Sequence, residues 1–159
     1  MPDQTLVLLA QEIRGRTIKL LDGLSDEQAR FAAPGLHNPI LWHAGHGVML
    51  MEHLGIMPLT GSSQPEYPAG WFETFGWKSD PRAVTAWPTV AEVRAQLERQ
   101  LDRLLLLLEA ADEATLSKRD AKGRPTRYLI LHGLHDEAIH QGEMYLLRKL
   151  YSKQAISLR

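Results

Sequence analysis

The sequence predicts an all-α fold, a bundle of four main helices. Two observations predict it: apolar residues recur at three- and four-residue steps along four long segments, and no segment alternates as a strand would. The chain has 159 residues, a length that suits one domain with a substantial hydrophobic core. We therefore expect a single four-helix-bundle domain over residues 1–159.

The first two predicted elements are a long helix and a short one. Ser25 is an N-cap residue followed by Asp26 and Glu27, a pattern that predicts a short helix. The long helix is predicted from a stripe at helical spacing: Leu6, Leu9, Ile13, Thr17, Leu20 and Leu24. Its second apolar edge is compatible with contact to a partner chain or with burial against a loop: Val7, Ile18 and Leu21.

The second main helix is predicted to begin at Asn38-Pro39, a cap followed by a proline at the first helical position, and to run to about Leu54. Gly55 follows at a position where helices commonly end. Residues 55–88 hold five prolines and four glycines without sustained periodicity, which predicts a long loop. Loops of this length often carry function. Its aromatic residues either plug one end of the bundle or wall a substrate pocket: Tyr67, Trp71, Phe72, Phe75 and Trp77.

The last two main helices follow this loop. Thr89 and Glu92 form a capping box directly after Pro88, which predicts the start of the third helix. A polar connection then leads to the fourth helix, predicted over about residues 127–152. The apolar stripe of the third helix comprises Val93, Leu97, Leu101, Leu104 or Leu105, and Leu108.

Composition argues against several classes of function. The formal charge is −1, from 18 basic and 19 acidic residues, and without a dense Lys/Arg run we expect no nucleic-acid binding. Apolar runs fall short of the roughly 20 residues of a membrane span, and the first 24 residues lack the basic start of a secretory signal. The absence of cysteine excludes disulfides, thiolate catalysis by the protein and cysteine ligands for a metal. We expect a cytoplasmic protein.

Histidines and a carboxylate lie on the core-facing stripes of two predicted helices. At about 100° per residue, His46 shares the apolar face of the second helix with Trp42. On the fourth helix, Asp136 and His140 are one turn apart on the apolar stripe. Buried polar groups need partners, and four-helix bundles place inward-facing metal ligands at such spacings. His46, Asp136 and His140 are therefore candidate ligands of one metal ion.

Other histidines are alternatives with different roles. His132 lies one turn before Asp136 on the same side and can ligate in its place or together with it. His43 lies about 60° from His46 around the helix; it is a candidate acid or base in a pocket, a group that supports the ligands, or a reserve ligand. His53 is too far along the helix to share the ion, and His135 is expected to be exposed.

Two segments resemble motifs of the DinB/YfiT-like superfamily, whose members are metal-binding four-helix bundles. The string PILWHAGH (Pro39 to His46) is similar to the family's second-helix motif PI-x-W-H-x-G-H. The string DEAIHQGEMYLLRKLY (Asp136 to Tyr151) is similar to its last helix, in which H-x-x-x-H precedes a short polar and glycine stretch and a leucine-rich tail. The loop string WFETFGW (Trp71 to Trp77) also resembles a segment of relatives, so the resemblance covers essentially the whole chain.

The resemblance implies three histidine ligands, one on the second helix and two on the fourth. His46 and His140 match the first and the last of them. Asp136 stands where a histidine is usual, so the implied site has two histidines and one carboxylate. Such a site suits a divalent transition metal, Zn, Ni, Fe or Mn.

The resemblance also implies a class of chemistry. A low-molecular-weight thiol, or water, would become a nucleophile near neutral pH at such a site, for thiol transfer, isomerisation or hydrolysis of a small-molecule substrate. His43 would carry a proton. The resemblance further implies a homodimer. The alternative is a non-catalytic, stress-related binding module with a degenerate metal site, in which the same polar residues form a buried hydrogen-bond network.

Overall fold

The computed structural model describes residues 1–157, with side chains to residue 153. Over this range it is an all-α bundle, as predicted, and its only β-type pairing is an isolated bridge between Arg119 and Pro125. Four long helices form the bundle: α1 (Gln4–Lys19), α3 (Ile40–Met51), α6 (Val90–Ala110) and α8 (Thr126–Ser157). Four short helices lie between them: α2 (Asp26–Ala29), α4 (Met57–Thr60), α5 (Trp71–Phe75) and α7 (Glu113–Ser117).

The helix starts follow from capping side chains. Both predicted caps are confirmed, since Ser25 and Thr89 each form a capping box with the residue three positions later. Asp3 caps α1 by accepting from the backbone N–H groups of Thr5 and Leu6. At α3 the prediction is wrong by one residue, because Pro39 itself is the N-cap and the helix begins at Ile40.

The second main helix does not end at Gly55, contrary to the prediction. It continues as a π-helical turn over Glu52–Ile56 and then as α4, and it ends at Gly61 in the left-handed conformation with φ of 70°. Gly55 is buried, and a Cβ there would lie 3.3 Å from Met51 Sδ. Its role is therefore close packing, and the loop begins six residues later than predicted.

The loop between α4 and α6 contains more structure than the sequence indicates. It holds α5 and a 3-10 turn at Pro81–Ala83. Trp71 and Phe75 on α5 are buried in the core, whereas Trp77 is 55% exposed. Two of the predicted aromatics are thus core residues, and both belong to a short helix.

The four long helices pack in a closed ring around two clusters of buried apolar residues. α3 packs against α6 and α8, and α1 packs against the same two helices from the opposite side. Of the second apolar edge predicted for the first helix, Val7 and Leu21 are buried, with 5% and 2% exposed, and Ile18 is partly buried against the core. That edge therefore gives no support to a homodimer, which stays a prediction.

The longest helix, α8, has 32 residues. Its inner face places Leu134 and Met144 in the core with no exposed surface. Its outer face carries large apolar side chains that are partly exposed: Tyr128, Leu131, Ile139, Tyr145 and Leu146. No helix in the described part of the chain is both long enough and apolar enough to cross a membrane.

Candidate metal centre

The structure brings His46, Asp136 and His140 together between α3 and α8. One potential ligand atom from each lies within 4.8 Å of the others. His46 is buried, and Asp136 and His140 are partly buried. Because Asp136 and His140 are one turn apart on α8, their side chains leave the helix in the same direction. These are the three residues that the sequence predicts as ligands.

Glycines allow the two helices to approach each other at this position. A Cβ at Gly47 of α3 would lie 3.3 Å from Glu137 Cδ, and a Cβ at Gly133 of α8 would overlap Met51 Cε. A Cβ at Gly45 would overlap the ring of Phe75 from α5. Because these three positions have no side chains, both helices and the loop can lie close to the histidines.

The loop fixes the orientation of the His46 ring. His46 Nδ1 lies 2.7 Å from the backbone carbonyl oxygen of Phe75 and donates to it. The Trp42 ring stacks on the imidazole, with centroids 4.6 Å apart and an interplanar angle of 11°. The Trp42 indole in turn donates to Ser79 Oγ at 2.8 Å. With Nδ1 occupied, Nε2 of His46 keeps its lone pair for a metal ion.

His43 and Glu143 extend the cluster on the other side of His140. His43 Nδ1 lies 2.8 Å from His140 Nδ1, and the His43 side chain is 1% exposed. Glu143 Oε2 lies 3.0 Å from His43 Nε2 but off the line of an Nε2–H bond. This buried nitrogen therefore has no hydrogen-bond partner among the described residues. His43, His140 and Glu143 form a second, overlapping group with metal-binding geometry.

The three histidines are neutral at physiological pH. Burial lowers the pKa of His43 to about 3, with a further contribution from the neighbouring His140. Burial and the proximity of His46 lower the pKa of His140 to about 4. Burial also lowers the pKa of His46, although the Phe75 carbonyl and the Asp136 carboxylate oppose this shift. Neutral imidazole is the form that binds metal ions.

The remaining histidines lie elsewhere. His132 is exposed and stacks on Tyr128, with ring centroids 6.0 Å apart, so the proposed competitor of Asp136 does not join either cluster. His135 is exposed, as expected. His53 contacts the loop instead, with Nε2 3.2 Å from the hydroxyl oxygen of Tyr67.

Sequence reasoning missed two contributors to the site. Glu143 follows His140 by three residues on one helix, a spacing that signals neighbouring side chains, so the sequence carried a usable sign of it. The Phe75 carbonyl carried none, because a backbone atom in a loop has no sequence signature. Only the fold places it against His46.

The residues present fit a transition-metal ion. The cluster offers two neutral imidazoles and one carboxylate, a donor set that Zn, Ni, Fe and Mn accept. The unpartnered Nε2 of His43 is buried next to it, and buried polar atoms normally have a partner. Three protein ligands would leave coordination positions for a small molecule, as in catalytic rather than structural sites.

Comparison with known proteins supports the fold and gives a family. The family model of the DinB superfamily matches residues 9–144. A crystal structure of a conserved protein from Enterococcus faecalis is similar to this chain, with a TM-score of 0.63 and 18% sequence identity. The similarity covers 94% of this chain and 97% of that chain. Among curated proteins, none matches the sequence significantly.

Proposed function

The chain belongs to the DinB superfamily, and we propose that it is a metal-dependent enzyme whose ion is held by His46, Asp136 and His140. The observation that carries this proposal is the convergence of these side chains from two helices, with ligand atoms within 4.8 Å of one another. The lowered pKa values of the two imidazoles support it, because they keep both rings free of a competing proton near pH 7.

The proposed reaction is transfer of a low-molecular-weight thiol to a small-molecule electrophile, or hydrolysis. A bound divalent ion would lower the pKa of a thiol or water and so supply a nucleophile near neutral pH. The chain provides the surroundings of that nucleophile. Trp42 and Phe75 are buried beside the histidines and exclude water from one side of the site.

His43 is the proposed proton carrier. It is neutral, because burial lowers its pKa to about 3, and its Nδ1 is within hydrogen-bond distance of His140. On the other side of the ring the Glu143 carboxylate is 46% exposed. In this proposal His43 would exchange a proton with solvent through Glu143 once that carboxylate turns into line with Nε2.

Partners and location extend the proposal. The exposed apolar side chains of α8, such as Leu131 and Ile139, support a homodimer through this helix, since exposed apolar groups can mark interfaces. A cytoplasmic location and a small-molecule thiol partner complete the proposal. Sedimentation of the purified protein tests the dimer directly.

Metal analysis tests the central claim. Protein purified without an affinity tag should hold close to one equivalent of a transition metal per chain, before or after reconstitution. His46→Ala should abolish this binding, whereas His135→Ala, a change of the same kind at an exposed position, should leave it intact. The loaded wild-type protein should also accelerate consumption of a thiol by a chromogenic electrophile, and His46→Ala should not.

The second candidate function is a non-catalytic binding module. The contacts of His43 with His140 and of His46 with Phe75 favour a binding module, because they give these buried ring nitrogens partners without an ion. Metal content well below one equivalent that does not rise on reconstitution would establish this reading and exclude the metalloenzyme. Equal loss of metal in His46→Ala and His135→Ala would show that the ligands are elsewhere.

A further inference from the structure

A groove of about 690 Å³ lies between the last turn of α1 and the second half of α8. Cationic and aromatic side chains line it from both helices: Arg16, Lys19, Tyr145 and Arg148. None of the candidate metal ligands is among its lining residues. Tyr145 lies about 140° from His140 around the helix, so the groove and the metal centre are on different sides of α8.

The charged side chains that line this groove are all cations. Arg16 is paired with Glu12 at 2.6 Å. Lys19 and Arg148 have no carboxylate within ion-pair distance in the described part of the chain. The chain as a whole has a formal charge of −1, so positive charge is concentrated here. A cleft lined by charges of one sign attracts ligands of the opposite sign.

The backbone, and not an acidic side chain, holds Arg148 in place. Its Nη1 donates to the carbonyl oxygens of Leu20 at 2.6 Å and of Asp22 at 3.1 Å, whereas the Asp22 carboxylate pairs with Arg94. Nε and Nη2 of Arg148 have no hydrogen-bond partner among the described residues. A guanidinium that is already fixed loses little freedom on binding, and its remaining N–H groups match the oxygens of a phosphate.

Gly142 leaves the middle of the groove open. It lies inside α8 and lines the groove, and no described atom would lie within 4 Å of a Cβ at this position. Gly133 of the same helix differs, because a Cβ there would overlap Met51. Glycine destabilises a helix interior relative to alanine, and packing within the chain gives no reason for glycine at position 142. A ligand in the groove supplies one.

We propose that this groove binds a phosphorylated small molecule with an apolar or aromatic body. Arg148 and Lys19 hold the phosphate, which carries nearly two negative charges and three acceptor oxygens, whereas a carboxylate carries one charge. The body of the ligand lies against Tyr145, whose side chain is 55% exposed. The volume of the groove is within the range of about 300–1,000 Å³ that small-molecule sites have.

The shape of the groove favours a small molecule over a membrane surface. Attachment to anionic lipids uses clusters of about four to eight basic residues on a surface that a bilayer can approach, whereas these cations line a concave space. This ligand site goes beyond the proposed function, because it shares no residue with the metal centre.

Calorimetric titration of the metal-free protein with adenosine diphosphate and with inorganic phosphate tests the site. Adenosine diphosphate should bind with a Kd of about 1 mM or tighter, and added salt should weaken it because the contacts are ionic. Inorganic phosphate, which lacks a body, should bind more weakly. Arg148→Gln should weaken adenosine diphosphate by about 10-fold or more, and Lys19→Gln by about 2- to 5-fold.

Matched variants separate the groove from general charge effects. Lys122→Gln removes an exposed lysine that does not line the groove and should leave the affinity unchanged. Gly142→Phe fills the groove and should abolish binding. Gly15→Phe adds the same side chain to α1 at an open position outside the groove and should retain binding. Tyr145→Leu should weaken adenosine diphosphate and leave inorganic phosphate unchanged.

Four results would overturn the proposed site. They are no binding of adenosine diphosphate, equal losses in Lys19→Gln and Lys122→Gln, full binding in Gly142→Phe, and equal affinities of the wild type for the two probes. Binding to vesicles of anionic phospholipid that Arg148→Gln abolishes, without binding of adenosine diphosphate, would identify a membrane surface instead.

Zinc binding separates this site from the proposed function. A protein that binds zinc through His46 but does not bind adenosine diphosphate overturns only the groove site. A protein that binds adenosine diphosphate in the groove but no zinc overturns only the metalloenzyme. Arg148→Gln should bind zinc as the wild type does, because Arg148 contacts α1 and not the metal ligands.

Discussion

Arg14 on α1 and Glu137 on α8 form an ion pair in the centre of the bundle, with Nη2 3.0 Å from Oε2 and each side chain 1% exposed. Arg14 also donates to the Gly47 carbonyl and to Gln100 Oε1, both at 3.0 Å. Thr17 Oγ1 donates to the other Glu137 oxygen at 2.6 Å. Through these bonds the pair connects all four long helices, and it lies next to Asp136 in the chain.

Removing one member of this pair is expected to destabilise the fold strongly. Glu137→Ala leaves the Arg14 guanidinium buried without its counter-ion, which should cost about 3–5 kcal/mol in the free energy of unfolding. Urea denaturation at pH 7 measures it. Arg14→Met combined with Glu137→Met should recover much of the loss, because an apolar pair leaves no buried charge.

The surface ion pair between Glu12 and Arg16 on α1 is the control for this experiment. Its side chains are 63% and 67% exposed, so Glu12→Ala should change the free energy of unfolding by less than about 1 kcal/mol. A similar small change in Glu137→Ala would show that the buried pair does not hold the helices together.

Gly45→Ala is expected to disturb the metal site through the loop. The added methyl group would overlap the Phe75 ring and displace α5, whose carbonyl orients His46. Overpacking of this kind costs about 1–3 kcal/mol, and zinc affinity should fall with the stability. Thermal unfolding and chelator competition measure the two effects.

Gly15→Ala provides the matched glycine change on α1, where nothing lies within 4 Å of the added carbon. It should raise stability by up to about 1 kcal/mol, since alanine favours a helix interior over glycine. Zinc affinity should not change. Equal zinc affinities of the two alanine variants would argue against an orienting role for Phe75.

Asp136 is the residue on which the metal proposal depends most. Asp136→Ala removes one of three proposed ligands and should weaken zinc binding by more than about 100-fold, the upper end of the loss for an outer hydrogen-bond partner. Asp136→His introduces the residue that is usual at this position in the family. This variant should bind zinc at least as tightly as the wild type, because imidazole suits zinc well.

His132→Ala serves as the comparison for Asp136, since His132 is on the same helix but exposed. It should leave zinc affinity unchanged. The opposite result, in which His132→Ala loses zinc and Asp136→Ala retains it, would show that His132 is the ligand, as the sequence allows. The side chains of α8 would then change position when the metal binds.

Stability of the metal-free protein should decrease as the pH falls below about 6.5. The pKa of His43 is about 3 in the folded chain and 6.5 for an ordinary histidine. Between these values the unfolded chain binds a proton that the folded chain does not, so acid favours unfolding, by up to about 1.4 kcal/mol per pH unit. Urea denaturation with a chelator at pH 7 and pH 5 measures the difference.

A pair of variants separates the contribution of His43 to the pH dependence of stability from the contribution of the carboxylates. His43→Gln should show a smaller loss of stability between pH 7 and pH 5 than the wild type. His135→Gln, at an exposed position, should show the wild-type loss. If all three proteins respond equally, His43 is not held in its neutral form by the fold.

The boundaries of the helices show which features can be predicted from local sequence and which cannot. Thr89 and Ser25 bond to groups three residues away, so their caps are predictable from neighbours alone. Glycine commonly ends helices, yet the helix continues through Gly55, where Met51 and Leu104 pack closely. Leu104 is far away in sequence, and no local rule can include it.

By itself the sequence determined the four main helices, the caps at Ser25 and Thr89 and the faces that carry His46, Asp136 and His140, because capping and helical periodicity are local properties. Only the tertiary structure decided that these faces meet, that His132 points to solvent and that the Phe75 carbonyl orients the His46 ring. Those relationships join residues from separate elements, and their distances depend on how the helices and the loop pack.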